Sequence, residues 1–120
     1  MPAIRIHHVQ IAIPVSGEAE GRRFYGELLG LWEVAKPYAL RKRGGAWFEA
    51  GDLQLHLGVD QTFRPAMKAH VALQVRELPL LRRQLIAQEY TVVDDDELPG
   101  YSRCYVSDPF GNRVELLEPL

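Results

Sequence analysis

The chain has 120 residues, 47% of them apolar and 25% charged, with a net charge of −2. That length suits one folded domain able to bury about two-thirds of its unfolded surface, and so small a net charge gives no electrostatic case for nucleic acid or an anionic membrane as a partner. No apolar run approaches the roughly 20 residues needed to span a bilayer. The N-terminus carries no apolar leader, and the single cysteine, Cys104, excludes an internal disulfide, so a cytoplasmic protein is expected.

In chain order, Ile6 to Ile13 alternates apolar and polar residues and predicts a strand ended by Pro14. Ser16 is a candidate helix cap with Glu18 and Glu20 in the first turn, and Phe24, Tyr25, Leu28 and Leu29 recur at helical spacing before Gly30. A helix over roughly 17 to 29 follows. Leu31 to Leu40, Ala46 to Ala50 and Leu53 to Leu57 are strand candidates separated by the turns Gly44-Gly45 and Gly51-Asp52. After a connector, the order recurs. Ala69 to Val75 predicts a strand, and Leu78, Leu81 and Leu85 mark one face of a helix with Pro79 in its first turn. Tyr90 to Val93 reads as a strand, Asp94 to Gly100 as an acidic exposed loop, Ser102 to Ser107 as a strand, and Arg113 to Glu118 as the last one. Few helices and many strands give an α+β class, two tandem βαβββ units. Module 1 is expected over about 4–58, a connector over 59–68 and module 2 over about 69–120.

The duplication is also written in the residues. His8-Val9-Gln10-Ile11 is echoed by His70-Val71-Ala72-Leu73, 62 positions on, and Glu115 lies 61 positions after Gln54. Side chains alternate across a strand. Val9, Ile11 and Ile13 therefore share one face and His8 and Gln10 the other. His7 falls on the apolar or outer side. The same rule sets Val71 and Leu73 against His70, Leu53, Leu55 and Leu57 against Gln54 and His56, and Val114 and Leu116 against Glu115 and Arg113. The polar faces thus hold His8, Gln54 or His56, His70 and Glu115. Two imidazoles with a carboxylate and an amide or third imidazole form a competent donor set for Zn, Ni, Mn or Fe(II). With open positions the same set serves Fe(II) oxygen chemistry.

Four stretches carry a resemblance to a known family: His8-Val9-Gln10-Ile11-Ala12-Ile13, Phe24 to Leu31, Ala69-His70-Val71-Ala72-Leu73, and Ser107-Asp108-Pro109-Phe110-Gly111-Asn112-Arg113-Val114-Glu115-Leu116. Together they span the chain and resemble the vicinal oxygen chelate superfamily, which includes glyoxalase I, fosfomycin-resistance thiol transferases, extradiol dioxygenases and bleomycin-resistance proteins. The resemblance implies a single glyoxalase-like domain over 1–120, whose two modules form an open, barrel-like mixed sheet with helices on the outside. It also implies a divalent metal held by His8, His70 and Glu115, with Gln54 as a fourth ligand in glyoxalase-like members and His56 as its rival on the same face. Glu115 is a candidate general base. The activity implied is a metal-dependent lyase or thiol transferase acting on a small oxygen-rich or electrophilic molecule, with a thiol as possible co-substrate. The alternatives are a non-catalytic ligand- or drug-binding protein of the bleomycin-resistance type and an Fe(II) extradiol-type dioxygenase. A homodimer is expected, the site being built within one chain or between two.

Gln54, His56, Arg103 and Tyr105 are the candidate substrate-binding residues. Arg103 and Tyr105 share a strand face, and Tyr105 matches a pocket-lining position in fosfomycin-resistance relatives. Trp47 and Phe48 fall on opposite faces of one strand, one for the cavity and one for the core. Arg41-Lys42-Arg43 reads as a solvated turn, and Cys104 as a small strand hydrophobe.

Overall fold

Alternating apolar residues build two sheets of the same plan. The structure, a computed structural model, describes residues 1–120 and divides into two compact units, Met1–Arg64 and Pro65–Leu120. In the first unit β1 (Val9–Ile13), β2 (Trp32–Val34), β3 (Ala46–Ala50) and β4 (Leu53–Val59) form a sheet ordered β1-β4-β3-β2. In the second, β5 (Val71–Gln74), β6 (Val92–Asp95), β7 (Tyr101–Ser107) and β8 (Arg113–Pro119) are ordered β5-β8-β7-β6. β1 runs parallel to β4 and β5 to β8, and all other neighbours are antiparallel. Each sheet is mixed and keeps two free edges, so the α+β class with two βαβββ units and no closed barrel holds.

The first helix departs from the expected form. A short α-helix (α1, Glu18–Gly21) runs on as a π-helix over Arg22–Leu28, and the Leu29 N–H donates to the Phe24 carbonyl at 2.9 Å. This winding sends Phe24 and Tyr25 into the core together, edge to face at 4.8 Å and both fully buried. Gly30, at φ +78°, closes the helix as expected, letting the Leu31 N–H reach the Tyr25 carbonyl. Ser16 is not the cap. It sits at φ +67°, Gly17 takes the cap position, and the Glu18 carboxylate instead accepts the Gly45 N–H at 3.0 Å.

The second unit shows how a core positions a site. Leu73, Cys104, Val106, Val114 and Leu116 are buried on one face of the sheet, and α2 (Leu78–Ala87) contributes buried Leu78, Leu81 and Leu85. Each such leucine contributes about 1.5–3 kcal/mol by leaving water. Pro79 lies in the first turn of α2, and the Glu118 carboxylate on β8 caps that helix by accepting the N–H groups of Glu77 and Leu78 at 2.8 and 3.1 Å. At the start of β8, buried Asp108 accepts the N–H groups of Phe110 and Asn112 at 2.9 Å, while Asn112 accepts the Ala66 N–H at 2.9 Å. That turn pins the strand that carries Glu115. Cys104 is a packing residue as expected, and burial pushes its thiol up to about 11.

Several element bounds differ from expectation. β1 and β5 begin at Val9 and Val71, leaving His8 and His70 just ahead of their strands. Only Trp32–Val34 of the stretch Leu31 to Leu40 is strand; Pro37 interrupts it and Tyr38–Arg43 winds as a 3-10 helix that contains Arg41, Lys42 and Arg43. Asp94 and Asp95 belong to β6 rather than to a loop.

Candidate functional site

The residues singled out from the sequence fall into two groups, one in each unit. In the first, His8 lies ahead of β1 and is solvent-exposed, while His56 at the middle of β4 is 5% exposed. Their rings stack at 4.3 Å and 21°, and the far face of His56 lies against Trp47 of β3 at 3.9 Å and 2°. The pairing of Trp47 with His56 across β3 and β4 sets that contact. His7 is exposed, on the outer side as expected, and its Nδ1 lies 3.0 Å from Nδ1 of His8. Burial, followed by the neighbouring charges of His8, His7 and Lys36, holds the His56 imidazole below its ordinary pKa. His56 is therefore neutral at neutral pH. Gln10 lies on the same face with its amide against Gly58, where a side chain would sit 2.5 Å from its nitrogen. Phe48 fills the core and Trp47 faces the site, the division the alternation implied.

In the second unit, Nε2 of His70 stands 2.9 Å from Oε1 of Glu115, which is 5% exposed. Oε2 of Glu115 accepts from Nη1 of Arg103 at 3.4 Å, and Arg103 is also gripped by Asp95, whose Oδ1 accepts from Nε at 3.1 Å and lies 3.1 Å from Nη2. Tyr105 meets the His70 ring edge-on at 5.5 Å and lies between two guanidinium groups, Arg113 at 3.8 Å and Arg103 at 5.3 Å. The Asp95 carboxyl is held below its usual range, by the Glu97 N–H first and then by Arg103.

Strand register changes one expected correspondence. Gln10 pairs with His56 across β1 and β4, and Ala72, its counterpart 62 residues on, pairs with Glu115 across β5 and β8. On the other side His56 pairs with Trp47 and Glu115 with Tyr105. His56, not Gln54, is thus the register equivalent of Glu115. Gln54 is half-buried, pairs with Glu49, and corresponds to Arg113. The two groups follow one plan: a histidine ahead of the first strand, a buried ligand-type side chain on the last strand, and an aromatic ring beside it.

Within either unit no group of three or more His, Cys, Asp or Glu side chains is gathered closely enough to hold a metal ion. Each unit supplies a pair. The second pair fits a cation on its own chemistry. Nδ1 of His70 lies 2.9 Å from the Lys68 carbonyl, an acceptor, so Nδ1 carries a hydrogen, and Nε2 lies 2.9 Å from a carboxylate oxygen. That second contact needs a positive bridge, either the proton of a charged imidazole or a metal ion on the neutral ring. A backbone carbonyl fixing Nδ1–H while Nε2 points at a carboxylate is also the orientation that metal-binding histidines adopt.

The family model for the glyoxalase/bleomycin resistance protein/dioxygenase superfamily matches residues 5–116. The chain belongs to that superfamily. A solved glyoxalase family protein from Bacillus anthracis is 47% identical, with 98% of this chain and 97% of that one covered at a TM-score of 0.92. Two more distant structures share the superfamily's fold. The genomically encoded fosfomycin resistance protein FosX from Listeria monocytogenes is 12% identical, with 98% and 95% covered and a TM-score of 0.78. TnmS3, an antibiotic binding protein from Streptomyces sp. CB03234, is 21% identical, with 100% and 99% covered and a TM-score of 0.73. Among curated protein sequences, none matches this superfamily member significantly.

The residue order gave no sign that Asp95 meets Arg103: it was hidden in an acidic run whose alternation is invisible, since both faces carry carboxylates.

Proposed function

We propose that this protein is a metal-dependent enzyme of the glyoxalase and fosfomycin-resistance kind, a lyase or thiol transferase acting on a small oxygen-rich or electrophilic molecule. The observation that carries it is the 2.9 Å approach of His70 Nε2 to Glu115 Oε1, two ligand-type atoms facing each other. His70 and Glu115 would hold a divalent ion with His8, the two pairs meeting within one chain or between the chains of a homodimer. His56 is favoured over Gln54 as the fourth ligand because it shares the register position and burial of Glu115. When bound, such an ion supplies a Lewis acid for two neighbouring substrate oxygens.

The chain's own residues do the rest. Lys68 holds the His70 ring by its carbonyl, and Arg103 holds Glu115 by one oxygen. Oε1 of Glu115 would accept a proton from substrate. Tyr105 and Arg103 in one unit, and Trp47 and Gln54 in the other, would contact the substrate. The test is turnover of 1,2-dicarbonyl and epoxide probes, with and without a thiol, after chelation and after return of Zn, Ni or Mn. Activity lost on chelation and restored by one of these ions supports the reading; turnover indifferent to chelation contradicts it.

A second reading has one observation behind it. Arg103 already neutralises Glu115 without any ion, as a ligand-sequestering protein would allow. Tight binding of a drug-like ligand that survives exhaustive chelation would place that reading first. Oxygen uptake with a catechol under Fe(II) would favour the dioxygenase instead.

A further inference from the structure

One row of charge crosses every strand of the second sheet. Asp95 stands on β6, Arg103 on β7, Glu115 on β8 and His70 at the head of β5. Asp95 and Arg103 are direct partners in the β6–β7 register, and Glu115 lies diagonally from Arg103 on the same face, two positions from its partner Leu117. The contacts follow in order: carboxylate to guanidinium at 3.1 Å, guanidinium to carboxylate at 3.4 Å, carboxylate to imidazole at 2.9 Å. Side-chain exposure is 25% at Asp95, 16% at Arg103 and 7% at Glu115, so the row runs from a wetter edge into a nearly dry centre.

We infer that Arg103 is a positioning residue for Glu115: with Asp95 as its anchor it binds Oε2 and leaves Oε1 alone to face the His70 ligand position. The inference rests on the metal reading above. An arginine suits this task because its rigid fork serves two carboxylates at once, whereas a lysine is a single point charge on a flexible stem. Without Arg103, nearly dry Glu115 would keep only its contact with His70, and its carboxylate could turn either oxygen toward the ring. The first unit has no such device. Gly45, one residue ahead of β3, stands where Arg103 stands in β7, and it pairs only through its backbone with Glu18.

The sign of the effect separates positioning from simple proximity. A cation 3.4 Å from a ligand carboxylate repels an incoming metal ion, so removing a merely neighbouring charge would tighten metal binding. Removing a positioning residue weakens it, by about 10–100-fold for a partner of this kind. Zn²⁺ affinity would be measured by titration calorimetry on wild type, Arg103→Met, Arg103→Lys and Asp95→Asn, each first shown by circular dichroism to melt cooperatively. Arg103→Met and Arg103→Lys are expected to bind Zn²⁺ about 10–100-fold more weakly, and Asp95→Asn about 3–10-fold more weakly, since it removes only the anchor. Equal or tighter binding by Arg103→Met overturns the inference while leaving the metal reading intact. Should Arg103→Met not fold, Asp95→Asn with unchanged affinity overturns it as well. Failure of wild type itself to bind Zn²⁺, or no loss on His70→Ala, removes the metal reading instead.

Discussion

The two units share topology and register but fill equivalent positions with different chemistry. Around the last strand of the first, His56 lies between two rings, Trp47 at 3.9 Å and His8 at 4.3 Å. Around the last strand of the second, Glu115 lies between His70 and Arg103, with Tyr105 in the register place of Trp47. A stacked, neutral imidazole tolerates burial because its neighbours are flat and polarisable. A buried carboxylate does not, and it needs a guanidinium and an imidazole to offset the lost hydration. One plan thus carries a pair of imidazoles in one unit and an imidazole with a carboxylate in the other. Duplication alone would give two identical halves; the divergence gives each half its own donor chemistry.

The comparison is broken most severely at the charged half. His70→Ala and Glu115→Gln are expected to weaken Zn²⁺ binding by more than the roughly 100-fold upper range for supporting residues, because each removes a donor outright. His56→Ala should cost about 10-fold or more and Gln54→Ala less than about threefold, if register equivalence decides the ligand. Equal losses at the two positions would show that register is a poor guide here. Next in size is the stack. Trp47→Ala removes one face of the His56 sandwich and should lower stability by about 1–2 kcal/mol in a denaturant titration, a value set by aromatic pairing plus the area uncovered.

A smaller effect follows from pH. Burial keeps the folded-state pKa of His56 below the ordinary imidazole value, so below about pH 6.5 the unfolded chain binds the proton that the folded chain refuses. Metal-free protein should therefore lose stability as pH falls from 7 toward 5, and His56→Phe should flatten that part of the profile. The smallest effect is at Cys104. With its thiol pushed up to about 11 and 1% of its surface exposed, it should react with a thiol reagent at pH 8 no faster than the protein unfolds. Rapid labelling of folded protein would place that face of the second sheet in solvent.

Much of this arrangement was legible in the residue order. β3, β4, β7, β8 and α2 follow from clean alternation or helical spacing, and the meeting of His70 with Glu115 follows from the same rule. What escaped it depends on distant partners. Ser16 looked like a cap, but the Pro14–Gly17 turn places it at φ +67° and Glu18 is drawn away to Gly45. Leu31 to Leu40 looked extended, yet Pro37 lacks the N–H needed to continue a ladder and the chain winds instead. Alternation sent Gln54 and His56 to one face without ranking them. Only the strands paired with β4 and β8 show which of the two matches Glu115, and pairing register is not written in either strand by itself.

The account stands or falls on whether the His70 and Glu115 pair holds an ion. The direct measurement is elemental analysis of protein purified without a chelating tag, for wild type and His70→Ala side by side. The account predicts close to one divalent ion per chain in wild type after equilibration with Zn²⁺ and washing, and almost none in His70→Ala. No retained ion in wild type, or the same content in both proteins, would contradict it.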